Sequence, residues 1–231
     1  MKEFEKVSPL RILDKSAHGA LGRGNLGALV ARAGVGKTAC LIHIAFDKLF
    51  RKERLIHVSL EDIPEKVTSY YNVIFYDLVK ALGLKGEEEL KMLIDRNRMI
   101  LAYLNQSFGV SRLKQSLQNL SEKIDFVPDA LIVDGLDFAS AETETFMKLK
   151  DLAREFQVEI WFSALSDPGV TELNAAGIPH PCARVEEFLS LIVQLQPAPP
   201  AILLRLLKDH DSPVGPEASV ALDPNTFLVR P

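Results

Sequence analysis

One eight-residue segment, Ala31-Arg32-Ala33-Gly34-Val35-Gly36-Lys37-Thr38, constrains the fold of this chain most. It follows the apolar run 26–30 and precedes the apolar pattern 39–50, so we predict a strand, a loop and a helix in succession. Backbone N–H groups at the start of a helix point at an anion, and the helix dipole favours negative charge there. This loop is therefore predicted to bind phosphate through Ala33, Gly34, Val35, Gly36, Lys37, Thr38 and Ala39.

Along the rest of the chain, short apolar strands alternate with helix-length segments, which is typical of an α/β fold with a mostly parallel sheet. The predicted strands are 26–31, 55–60, 99–104, 130–133, 158–163, 188–195, 201–208 and 227–229. The predicted helices are 39–50, 65–82, 87–97, 111–125 and 142–156, and 167–185 is predicted to be a loop. We expect one three-layer αβα domain over 1–231, with a lead-in at 1–25, a helical insertion at 63–97 and an antiparallel C-terminal strand extension.

The composition is that of a globular domain without an obvious polyanionic partner. With 47% hydrophobic residues, 231 residues can bury one full core, and a net charge of −4 gives no reason to expect nucleic-acid or membrane affinity. Only two cysteines occur, Cys40 and Cys182, which favours a reducing compartment over a disulfide framework. The first residues alternate in charge and lack an apolar signal core, so we expect a cytoplasmic protein.

Two strand ends supply candidate carboxylates. Asp134 ends the most apolar strand, and the ends of parallel strands meet at one sheet edge, so Asp134 is predicted to join Thr38 as a Mg²⁺ ligand. The other interpretation of Asp134 is a residue that caps a turn. Gly135 follows it, where many ATPases carry their water-activating glutamate. Glu61, at the end of the second strand, is therefore the candidate base, with Asp62 as the alternate and a solvated strand end as the simpler interpretation.

The loop segment, together with Val58-Ser59-Leu60-Glu61-Asp62 and Leu131-Ile132-Val133-Asp134-Gly135-Leu136, resembles the core of the RecA-fold P-loop ATPases. The KaiC-like and DnaB-like branches are the most similar. The resemblance implies ATP and Mg²⁺ as cofactors, a RecA-like fold, Lys37 on the β- and γ-phosphates and Glu61 as the catalytic base. It also implies a homo-oligomer with nucleotide near a subunit interface.

The segment 204–213 resembles the strand and loop with which these ATPases reach a neighbour's γ-phosphate, which implies a catalytic role for Lys208. Family members usually carry Lys-x-Arg there, whereas this chain has Lys208 and His210. The position of the family's sensor glutamine falls on Ala164, with Ser163 or Ser166 as substitutes. Histidine lacks the permanent charge and the forked donors of arginine, so we expect slow, regulatory hydrolysis.

The same residues are compatible with other functions. A nucleotide-binding scaffold that serves a protein client would use the same loop, and so would a small-molecule kinase. A DNA-dependent motor is disfavoured, because 167–185 contains one basic residue, Arg184, and no aromatic side chain for stacking. His180 and Cys182 lack a partner motif for zinc, and we expect the other histidines to be structural or exposed.

Overall fold

The computed structural model describes residues 2–104, 107–166, 169 and 173–230. Within these residues, eight strands form one sheet: β1 Leu26–Ala31, β2 Leu55–Ser59, β3 Arg98–Ala102, β4 Ala130–Asp134, β5 Glu159–Leu165, β6 Leu189–Ala198, β7 Ala201–Asp209 and β8 Ser219–Leu222. The α-helices are α1 Lys2–Glu5, α2 Lys37–Phe50, α3 Pro64–Leu82, α4 Glu87–Asn97, α5 Val110–Ile124 and α6 Thr143–Phe156. Short 3-10 helices occupy Pro9–Lys15, Cys182–Arg184 and Glu186–Phe188.

The strand order of the sheet is β3-β2-β4-β5-β1-β6-β7-β8. Strands β1 to β6 are parallel, whereas β7 and β8 are antiparallel additions to one side. Because β5 alone separates β1 from β4, the loops that leave these two strands face each other at the carboxyl edge of the sheet. A cleft at such an edge is where ligands of open α/β sheets bind.

Helices cover both faces of the sheet. Helices α2, α3 and α4 pack on one face with the 3-10 helix Pro9–Lys15, and α5 and α6 pack on the other. Alternate residues of a strand point to opposite faces, and β5 shows this clearly, since Trp161 belongs to the first core and Phe162 to the second. The prediction of an α/β fold with a mostly parallel sheet and an antiparallel extension is confirmed.

The segment 63–97 forms α3 and α4, which pack directly on α2 rather than standing apart from the domain. Val67, Tyr71, Phe75 and Ile94 are almost fully buried in the same core as α2. The lead-in is also anchored: Phe4 is completely buried, and the Ser8 hydroxyl accepts the N–H of Leu10 at the start of the first 3-10 helix.

The last predicted strand, 227–229, was wrong. The final strand is β8, and of the predicted segment only Val229 forms a bridge, to Leu222. Phe227 interrupts a strand here because its φ is +53°, a left-handed conformation. Part of the predicted 167–185 loop, residues 167–168 and 170–172, lies outside the described residues. Its described part contains a bridge between Leu173 and Pro179 and a short 3-10 helix.

The two cysteines, Cys40 and Cys182, are buried free thiols. In the described part of the chain, no helix combines the length and apolar character that a membrane crossing needs.

Candidate functional site

The loop between β1 and α2 turns through two glycines with left-handed backbone. Gly34 has φ +75° and Gly36 has φ +103°, conformations that glycine adopts without a steric penalty. Gly36 occupies the N-cap position of α2, and no side chain caps the helix there. The first N–H groups of α2 therefore face the carboxyl edge of the sheet, where an anion can accept them.

The Phe227 ring packs directly against this turn, a contact that the sequence does not predict. A Cβ atom on Gly36 would overlap the Phe227 ring, whereas a Cβ on Gly34 would meet nothing within 4 Å. The ring of His43, on α2, lies 6.0 Å from that of Phe227. The C-terminal segment thus holds the turn from below. No local sequence pattern connects the two segments.

Thr38 and Asp134 are brought together as predicted. The Thr38 hydroxyl donates a hydrogen bond of 2.8 Å to Asp134 Oδ2 across the end of β5. Both side chains are half-buried, and a hydroxyl beside a carboxylate is the hard-oxygen pair that Mg²⁺ prefers. The residues present therefore fit the ion that the sequence suggests.

Lys37 lies at the first position of α2 with its ammonium turned back toward the loop. Nζ donates long hydrogen bonds to the carbonyl oxygens of Ala31 at 3.4 Å and Arg32 at 3.3 Å. Burial lowers the pKa of Lys37, while the nearby carboxylates of Asp134 and Glu61 act in the opposite direction. A partly desolvated cation with weak hydrogen bonds is well suited to bind an anion, which would replace the hydration that it lacks.

Glu61 and Gly135 fit together closely. Gly135 has φ +91°, and a Cβ there would stand 2.8 Å from Glu61 Cγ, so only glycine leaves the space that the Glu61 side chain occupies. Asp62, the alternate base, is instead paired with Lys66 at 2.6 Å. As the candidate base, Glu61 is therefore favoured over Asp62. The same packing gives a physical reason why the residue after Asp134 is a glycine.

These residues surround one cavity of about 1020 Å³ at the carboxyl edge of the sheet. This volume is at the upper end of the range of about 300–1,000 Å³ that is usual for small-molecule sites. Arg32, which no sequence pattern marked as functional, adds an exposed cation to the cavity wall. Among the described residues, the charged or polar side chains that line it are Arg32, Lys37, Thr38, Glu61, Asp134, Asp137, Ser163, Ser166 and His180.

Lys208 does not line this cavity in the same chain. It lies on β7 opposite Ile192, toward the end of the sheet away from the loop, and Nζ donates to the carbonyl oxygen of Glu186 at 2.5 Å. His210 lies beyond it in a left-handed conformation with φ +50°. Within one chain, neither residue is brought together with Lys37 or Asp134.

Two further candidate groups, Ser163 and Arg184, have internal hydrogen-bond partners. Ser163 Oγ accepts the N–H of Gly135 at 2.9 Å, and Ala164 is fully buried within β5. Arg184 donates to the backbone carbonyl oxygens of Phe138, Ala139 and Ala141. The single basic residue of the 167–185 segment is therefore engaged within the fold rather than presented to a nucleic acid.

No protein-family model matches this chain, and no curated protein matches it either. The case for a function therefore depends on the residues themselves and on their geometry.

The two loop glycines provide a matched test of the turn. Gly36→Ala is expected to lower the free energy of unfolding by about 3 kcal/mol, since a left-handed alanine costs about 1–2 kcal/mol and overlap with Phe227 adds about 1–3 kcal/mol. Gly34→Ala should incur only the backbone cost. Urea unfolding without added ligand measures both. Equal losses of stability in the two variants would contradict the contact between Gly36 and Phe227. In a Phe227→Ala background, the stability losses of Gly36→Ala and Gly34→Ala should become similar.

Proposed function

We propose that this protein binds Mg-ATP and hydrolyses it slowly, as a RecA-like P-loop ATPase of the KaiC-like kind. The observation that carries the proposal is the convergence of Lys37, Thr38, Glu61 and Asp134 on one cavity. They come from three separate segments, at the ends of β1, β2 and β4. Each has the charge or hydrogen-bonding group that phosphate binding, metal binding or water activation requires.

Phosphate binding follows from the start of α2. The uncapped N–H groups after Gly36, the helix dipole and the Lys37 ammonium all favour an anion at the same point. A second cavity of about 590 Å³ adjoins the first and shares Arg32 and Ser166 with it. The two cavities together offer room for a base and ribose beside the phosphates.

The hydrolytic step would depend on two carboxylates with separate roles. Mg²⁺, held by Thr38 and Asp134 when bound, supplies charge neutralisation at the phosphate oxygens. Glu61 is exposed at the cavity wall, so it has access to a water molecule that it can orient or deprotonate. Asp134 is half-buried and bonded to Thr38, which suits it to a positioning role.

Slow turnover is the expected consequence of the side chains at positions 163 and 164. The side chain at position 164 is a buried alanine, and Ser163 accepts a hydrogen bond from the backbone of Gly135. Alanine has no hydrogen-bonding group, and the Ser163 side chain is shorter than a glutamine and already contacts the Gly135 backbone. With fewer groups to stabilise the charge that develops in the transition state, the barrier stays higher.

Binding is tested first with Lys37. Lys37→Ala is expected to weaken Mg-ATP affinity by at least about tenfold, or about 1.4 kcal/mol, because the variant leaves the phosphate charge without its cation. Isothermal titration calorimetry on the full chain measures the dissociation constant. Lys85→Ala, an exposed lysine far along the sequence, is the control and should bind like the wild type. A wild type that gives no heat of binding with Mg-ATP would overturn the proposal.

Hydrolysis is tested separately with Glu61. Glu61→Gln preserves size and removes the base, so Mg-ATP affinity should stay within about twofold while phosphate release falls by about 10²–10⁴-fold. Asp62→Asn is the matched control, since Asp62 is paired with Lys66 and should affect release little. If the wild type binds Mg-ATP and releases no phosphate, the protein is a nucleotide-binding scaffold instead.

Lys208 would act only on the ATP of a neighbouring subunit, because it lies away from the cavity of its own chain. Lys208→Ala and Glu61→Gln should each be inactive alone. Mixed in equal amounts, they should recover about a quarter of the wild-type rate, since a random assembly has that share of interfaces with both residues intact. Phosphate release from the mixture is the measurement, and the assembly mass with and without Mg-ATP accompanies it. A mixture as inactive as its components would exclude a shared site.

A further inference from the structure

A second cluster of ligating side chains lies at the other end of the sheet, away from the phosphate cavity. His18 of the lead-in and Asp209 and His210 at the end of β7 each offer one ligand atom, and these atoms all lie within 4.8 Å of one another. Asp209 Oδ1 stands 3.2 Å from His18 Nδ1 and 3.1 Å from His210 Nδ1. The two imidazole rings are 4.2 Å apart.

The hydrogen bonding of His210 leaves a place for a proton or a metal ion beside its Nδ1 atom. His210 Nε2 lies 3.2 Å from the carbonyl oxygen of Leu21, and a carbonyl can only accept, so Nε2 carries the hydrogen. In a neutral imidazole the remaining nitrogen, Nδ1, then presents a lone pair. That lone pair faces a carboxylate oxygen, and two acceptors at 3.1 Å repel each other unless a proton or a metal ion lies between them.

The carboxylate is fixed in place by a contact that leaves one oxygen for the cluster. Asp209 is 1% exposed, and its Oδ2 accepts the N–H of Ala17 at 2.6 Å. Oδ1 therefore faces both imidazoles. Burial of this carboxylate is compensated by the Ala17 N–H, by the Ser16 side chain and by the two imidazoles, which together fix its orientation.

We propose that His18 Nδ1, Asp209 Oδ1 and His210 Nδ1 bind one divalent transition-metal ion, with Zn²⁺ the best match. Two imidazoles and one carboxylate form a known type of zinc ligand set, with the fourth position left to water. Bonds of about 2.0–2.1 Å in a tetrahedral site separate the ligand atoms by about 3.3 Å. The two carboxylate–imidazole separations, 3.1 and 3.2 Å, are close to that value, and the two imidazole nitrogens lie within 4.8 Å of each other. His18 has 45% of its side chain exposed, which gives the ion an entry path.

The surroundings also fit a metal centre. The hydrogen bond from His210 Nε2 to Leu21 fixes the tautomer and the ring orientation, as outer hydrogen bonds do for metal-bound histidines. The ion would join the lead-in to the end of β7, next to Lys208. The ion would thus hold the turn after β7 in place. Because this turn lies away from the phosphate cavity, the metal proposal does not depend on nucleotide binding.

Zinc binding to the full, metal-free chain without nucleotide tests the proposal. Calorimetry with Zn²⁺ alone should show one ion per chain, and Co²⁺ in its place should give the intense ligand-field absorption of a tetrahedral site. His18→Ala and His210→Asn should each weaken Zn²⁺ binding by at least about tenfold. Asparagine is chosen at position 210 because it tolerates the left-handed backbone. His18 is exposed, so its variant should retain the fold.

Two controls separate this site from other binding. Asp211→Asn changes an exposed neighbouring carboxylate, and Asp134→Asn changes the carboxylate of the phosphate cavity; both should retain wild-type Zn²⁺ affinity. Absence of Zn²⁺ binding in the wild type would overturn the proposal and would leave a shared proton as the bridging cation. Zn²⁺ affinity that is unchanged in the His18→Ala variant would overturn it equally.

Discussion

The backbone turn at Gly36 is the constraint on which the candidate site depends. Its left-handed φ directs the first N–H groups of α2 toward the carboxyl edge of the sheet, and the Phe227 ring beneath it leaves no room for a side chain. Helix α2 is buried along most of its length, so its start cannot shift without disturbing the core. The turn fixes the positions of Lys37 and Thr38, because they are the first two residues of that helix.

The sheet topology explains why the carboxylates reach the same place. Parallel strands β2 and β4 are neighbours, and Ser59 stands opposite Asp134 in their register, so the residues that follow each strand emerge side by side. Two side chains cannot share that space. Because position 135 is glycine, the Glu61 side chain occupies this space. Glu61, which follows β2, therefore provides the carboxylate at the cavity wall, and Asp134, at the end of β4, provides the carboxylate that accepts the hydrogen bond of Thr38.

The features that the sequence predicted are those that local patterns encode. The loop glycines, the strand ends and the proximity of Thr38 to Asp134 follow from periodicity and from the rule that parallel strands end at one edge. Phe227 was missed because it reaches Gly36 only through the tertiary fold. His18 meets His210 for the same reason: they are far apart in the sequence, and no local pattern connects them. Strand β8 has four residues, which is too few for a periodic signal to identify.

The contact between Lys208 and Glu186 bears on how a neighbouring subunit would use that lysine. Its ammonium donates to a carbonyl oxygen at 2.5 Å, and a hydrogen bond from a charged donor contributes about 1.5–3 kcal/mol. Lys208 would have to give up that bond to reach a phosphate, so only the difference between the two interactions would stabilise the transition state. Asp209 and His210 follow directly and are held against the lead-in, which limits how far the turn can move. A lysine restrained in this way would add little to catalysis in the proposed ATPase, which agrees with the slow turnover proposed for it.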